Sequence, residues 1–125
     1  MGDETQAIQQ VISRYHQAIT DQDADAAINC IGTTYLRFGK MEDQWRAGFN
    51  NHGEWADQFR SGLPSDYTNS IEFMNTNVEE NTAVVVTKET GSGGAGSWED
   101  VTNLWFLAQQ EGEWKIVGSG HFIFA

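Results

Sequence analysis

The chain reads as an α+β domain, and three observations predict it. Apolar residues recur at helical spacing through the first half. Runs with alternating polarity fill the second half, and short polar turns join most of them as hairpins would. Helices gathered at one end and antiparallel strands at the other predict a helix layer packed on one face of a sheet. The length of 125 residues suits a single domain over 1–125.

The elements follow in order. Ile8, Val11, Ile12, Tyr15, Ala18 and Ile19 form one stripe of a helix expected from Glu4 to Thr20. His16 falls at the edge of that stripe, where half-exposure is expected. Asp21-Gln22-Asp23 breaks the helix. Ala24, Ala27, Ile28 and Ile31 predict a short second helix, with Asp23 as N-cap and Gly32 just past its end. Tyr35 to Phe38 reads as a strand ended by Gly39, and Gln44 to Phe49 as a second. A third helix begins near Asn51, where Asn51 and Glu54 have capping-box spacing. Trp55, Phe59 and Leu63 line one face, and Gly62-Leu63-Pro64 closes it. Four strands follow, over Asn69 to Asn77, Ala83 to Thr90, Val101 to Gln109 and Trp114 to Phe124. Residues 91–97, rich in glycine and serine, read as a flexible connection between the middle pair.

Composition excludes several functions. Seven basic residues stand against 18 acidic ones, a net charge of −11. Such a surface repels nucleic acid and anionic lipid. The acids lie mainly at helix starts, turns and strand rims, where they serve solubility and edge protection. No apolar run approaches the ~20 residues of a membrane helix. The N-terminal residues lack the pattern of a signal peptide, so a cytoplasmic location is expected. The lone Cys30 sits in an apolar helical pattern and reads as a buried, inert thiol.

Three motifs resemble chemistry and lack its context. Residues 91–96 match G-x-G-x-x-G, but a strand pattern follows where a dinucleotide site needs a helix. No cofactor is expected. Asp21 to Asp25 begins like a calcium loop, but Ala26 and Gly32 occupy the positions that require Gly and Glu. His16, His52 and His121 show no metal-ligand spacing, so no metal is expected.

The element order resembles the nuclear transport factor 2-like superfamily, which includes ketosteroid isomerase, scytalone dehydratase and the SnoaL-like cyclases. Two segments carry the resemblance. One is Ile8 to Ile31, with Arg14-Tyr15 and the Asp21-Gln22-Asp23 break. The other runs from Val101-Thr102-Asn103-Leu104-Trp105-Phe106 through Gly112-Glu113-Trp114-Lys115-Ile116-Val117 to His121-Phe122. The resemblance implies a cystatin-like cone: a curved, mostly antiparallel sheet wrapped around the helices, with a pocket at its open end. It also implies that Tyr15 occupies the place of the isomerase's oxyanion-hole tyrosine. The isomerase base would fall near Phe38-Gly39, and its neutral acid near Thr102 or Asn103. No carboxylate stands at either place, so that mechanism is not implied.

The resemblance places Trp45, Trp55, Phe59 and Trp98 around the mouth, as aromatic walls for a small apolar ligand. Strict alternation in the third long strand puts Trp98, Asp100, Thr102 and Leu104 on one face. If Thr102 faces inward, Asp100 becomes the best remaining acid, with Tyr15 and His121 as further polar candidates. The opposite face, with Trp105 and Leu107, would be open and would favour a homodimer. Two readings remain. One is a small-molecule pocket protein, either a binder or an isomerase, dehydratase or cyclase using metal-free acid–base chemistry. The other is a dimerisation or interaction module with a closed cone. At the pocket, the acidic balance favours a neutral or cationic apolar ligand over an anionic one.

Overall fold

A computed structural model of the chain describes the backbone of residues 2–41, 44–63, 65–93 and 96–122. It describes the side chains of residues 4–33, 52–54, 56–63, 65–93 and 96–120. Three helices, α1 (Gly2–Thr20), α2 (Ala24–Asn29) and α3 (His52–Ser61), lie beside strands β1 (Ile31–Met41), β2 (Gln44–Asn51), β3 (Thr68–Glu79), β4 (Thr82–Gly93), β5 (Gly96–Gln110) and β6 (Glu113–Phe122). The strands form one six-stranded sheet in the order β2-β1-β6-β5-β4-β3. All pairings are antiparallel except β1 with β6. No helix among the described residues is long and apolar enough to cross a membrane.

The α1 stripe forms the lid of the core. Ile8 and Ile12 are fully buried against Val85, Trp105, Leu107 and Ile116 from the inner face of the sheet. Burying each such side chain contributes about 1.5–3 kcal/mol. Asp23 caps α2, accepting from the Ala26 amide at 3.1 Å. That helix stops at Cys30 rather than running on through Ile31. The Ile116 amide bonds the Cys30 carbonyl, and Ile31 pairs with Ile116 in the sheet. A ladder to a strand 85 positions away thus overrides a helical pattern legible only locally. Gly32 is a strand residue for the same reason. Cys30 itself is buried, as the sequence suggests.

The glycine-rich segment also differs from expectation. Strand pairing continues through it, from Gly91 opposite Trp98 to Gly93 opposite Gly96. Bulges interrupt the regular pairing. One lies beside Met74 in β3, one at residues 99–100 of β5, and one at Val117 in β6. A bulge bends its strand and adds twist, which curves the sheet around the helices.

Candidate functional site

The inner face of β4 is set by alternation. Ala83, Val85, Thr87 and Glu89 are all buried, while Val84 and Lys88 between them and Thr90 beyond are exposed. An acidic side chain therefore ends an otherwise uncharged inward row. Glu89 is 3% exposed and faces His16 of α1, which is 7% exposed. His16 follows Ile8 and Ile12 at intervals of four, so it lies on the core-facing side of α1 rather than at its edge.

The pair is held from several directions. His16 Nδ1 lies 2.9 Å from the Ile12 carbonyl, and Nε2 lies 3.2 Å from Glu89 Oε1. Both ring nitrogens thus face oxygens that accept hydrogen bonds. Asn69 Nδ2 donates to Glu89 Oε1 at 2.8 Å. Thr87 Oγ1 and Trp105 Nε1 both donate to Glu89 Oε2. Asn103 adds another side-chain hydrogen bond. Burial pushes the Glu89 carboxyl up, but His16, Thr87 and Asn103 together outweigh it and hold the group down at about 2.

The network extends outward to Trp98, whose Nε1 donates to Asn69 Oδ1 at 2.7 Å. Asn69 and Trp98 flank Gly91 in register, on either side of β4. Their side chains meet across Gly91 because it has none. A Cβ there would strike the Thr68 carbonyl oxygen and crowd Asn69. The first glycine of the glycine-rich segment is thus clearance for the site, not slack in a loop.

Aromatic rings surround this charged centre. Tyr15 meets His16, Phe59 and Trp105 edge-on, with ring centroids 5.4, 6.0 and 6.0 Å apart. Tyr67 stacks on His16 at 6.3 Å and leans on Trp98 at 5.9 Å. Burial, and then the charge of Glu89, push the Tyr67 phenol upward, so it stays a protonated donor. The Tyr67 hydroxyl has no hydrogen-bond partner among the described residues.

Several expectations are corrected here. Asp100, Thr102 and Leu104 do not face the helices. Thr102 pairs with exposed Lys88, and Leu104 lies opposite half-buried Val86 beside exposed Val84. Asp100 is exposed at the β5 bulge with φ +50°, its amide bonded to Thr90 Oγ1. The extra residue there resets the alternation. Trp98 therefore shares the inner face with Asn103, Trp105 and Leu107, not with Asp100. Trp105 and Leu107 are 3% and 1% exposed beneath the helices, so they form no open dimer face. Tyr15 and Phe59 meet ring to ring, and Trp98 joins the network through Asn69 and Tyr67. His121 is the register partner of Asn103, and Trp45 pairs with Lys40. The side chains of His121, Trp45 and Trp55 lie outside the described residues.

Sequence reasoning passed over His16, Tyr67, Asn69, Thr87 and Glu89. Glu89 had no clear signal, because Ala83-Val84-Val85-Val86 is apolar in both phases of the strand. His16 had one, in phase with Ile8 and Ile12.

No protein-family model matches the chain. No curated protein matches it either. Solved structures do. A nuclear transport factor 2-like protein of unknown function from Shewanella oneidensis superposes with a TM-score of 0.74 at 13% identity, covering 96% of this chain and 99% of that one. A ketosteroid isomerase-like protein from Erwinia carotovora atroseptica gives 0.70 at 16% identity, covering 100% and 99%. A domain of unknown function with a cystatin-like fold from Nostoc punctiforme gives 0.74 at 11% identity, covering 100% of this chain and 80% of that one. With the helices packed inside a bent six-stranded sheet, these likenesses show that the chain has the nuclear transport factor 2-like fold, a cystatin-like α+β cone.

Proposed function

We propose that this chain binds a small, largely apolar, neutral or cationic molecule inside its cone. The observation that carries the reading is the Tyr67 hydroxyl. It is a phenol kept protonated, half-buried among Trp98 and His16, with no partner among the described residues. Half-buried polar groups of this kind gain most from a ligand acceptor, while the rings supply apolar contact.

The same geometry favours binding over acid–base turnover by the charged pair. The Glu89 oxygens are occupied by donors, and both His16 nitrogens face acceptors. A general base needs a free lone pair and a pKa near the working pH, and Glu89 offers neither. The pair is a fixed electrostatic floor that holds Tyr67, Asn69 and Trp98 in place.

A thermal-shift and tryptophan-fluorescence screen with planar, uncharged apolar compounds bearing one carbonyl tests this. Saturable stabilisation is expected, weakened roughly three- to tenfold by Tyr67→Phe, as one neutral hydrogen bond would be. No saturable binder across a broad set would overturn it. An assembly reading has one supporting feature. The outer face exposes Val84 beside half-buried Val86, Leu104 and Phe106, an apolar strip that a second copy could cover. A concentration-independent species of 14.0 kDa would exclude that reading.

A further inference from the structure

A cleft of about 270 Å³ opens where the first half of α1 faces the end of α2 and the β5–β6 turn. Along β5 it lies well away from the buried network, although Arg14 and His16 are only two residues apart on α1. Asn103 marks the level of the network on β5, and Gln109, paired with Trp114, marks the level of the cleft. Six strand residues separate them, roughly 20 Å.

The cleft lining mixes apolar and cationic side chains. Ala7, Val11 and Trp114 supply the apolar part. Arg14, on the same face of α1 as Ala7 and Val11, and Lys115 bring two of the chain's seven basic residues to the lining. Lys115 is already engaged: its Nζ bonds the Asn29 carbonyl and pairs with Glu113 Oε2 at 3.2 Å. That pairing offsets the one acid lining the cleft. Arg14 is exposed and has no hydrogen-bond or ion-pair partner among the described residues.

We propose that this cleft is a second binding site, one that takes a small monocarboxylate with an apolar stem, its carboxylate on Arg14 and its stem against Val11 and Trp114. Three features select that class. A guanidinium matches a carboxylate with two parallel hydrogen bonds. One unpaired cation balances one negative charge, and a dianion would leave an excess on a chain of net charge −11. The volume sits near the lower limit for ligand pockets, which suits a stem of one ring and not a polycyclic one. The site prefers an anion where the cone prefers a neutral or cationic molecule, so the two are separable by ligand charge.

The probe is phenylacetate, with phenylacetamide as its uncharged isostere, titrated into the isotope-labelled full chain at low salt. Saturable shifts are expected at the amides of Cys30, Gly112 and Lys115, with none for phenylacetamide. Arg14→Gln is an exposed change and should leave the spectrum otherwise intact. It should weaken phenylacetate about tenfold or more, and Arg14→Lys by less, because a point charge lacks the fork. Added salt should weaken binding as well. Tyr67→Phe should leave phenylacetate binding unchanged, which keeps this outcome independent of the cone. Equal affinity for the two probes, an unaltered affinity in Arg14→Gln, or no saturation would overturn the proposal.

Discussion

Glu89→Gln is nearly isosteric, so it changes charge and hydrogen bonding without leaving a cavity. The native carboxylate accepts from His16, Asn69, Thr87, Trp105 and Asn103. Glutamine keeps one acceptor oxygen and turns the other into a donor. Either Trp105, or His16 and Asn69, then face an N–H where the carboxylate oxygen stood, whereas the Thr87 hydroxyl can turn to accept. His16, 7% exposed, also loses its carboxylate partner. Removing one partner of a buried pair costs about 3–5 kcal/mol. An independent route gives a similar figure. Lowering the carboxyl from 4.5 to about 2 corresponds to roughly 3 kcal/mol of stability.

The sign of the pH dependence follows from that depression. The contribution is fully present above the unfolded value of 4.5 and is lost as pH falls through about 2. Urea unfolding of both proteins, followed by tryptophan fluorescence from neutral to acid pH, measures it. Glu89→Gln should be less stable by about 3–5 kcal/mol at neutral pH. The gap should close on acidification, because only the parent protein loses the ionised group. A gap below about 1 kcal/mol, or one constant down to about pH 2, would refute the reasoning. A typical domain stability of roughly 5–15 kcal/mol leaves room for the variant to fold.

Two further perturbations test the frame around the site. Gly91→Ala should cost at least about 2 kcal/mol, because the new methyl meets the Thr68 backbone rather than a movable side chain. Its thermal midpoint should fall, and the Trp98 indole N–H resonance should lose the signature of its bond to Asn69. Asp100→Val should cost about 1–2 kcal/mol through the left-handed φ of +50°, whereas Asp100→Asn should cost little. Neither Asp100 change should alter ligand affinity in the cone, and an effect there would put Asp100 back in the site.

Glycine-rich segments and alternating strands show how far local reading goes. Along β4 alternation was not legible, because Ala83, Val84, Val85 and Val86 put apolar residues on both faces. Along β5 the same rule placed Trp98 with Asp100, Thr102 and Leu104. It failed because one residue at the bulge shifts the phase, and a bulge exists only relative to a partner strand. Choosing which face of β5 meets the helices failed for a related reason. Both faces carry apolar residues, and only the docking of α1 buries Trp105 and Leu107 rather than Leu104 and Phe106.

By itself, the sequence determined the class of the fold, the order of its elements, the Asp23 cap and the buried state of Cys30. Each depends on periodicity or on groups a few residues apart. Tertiary structure decided where α2 ends, which face of β5 is inner, and that His16 meets Glu89. Those outcomes depend on contacts between residues such as 16 and 89, or 31 and 116. Such contacts form only when the chain closes on itself, and no local pattern encodes the register in which it does so.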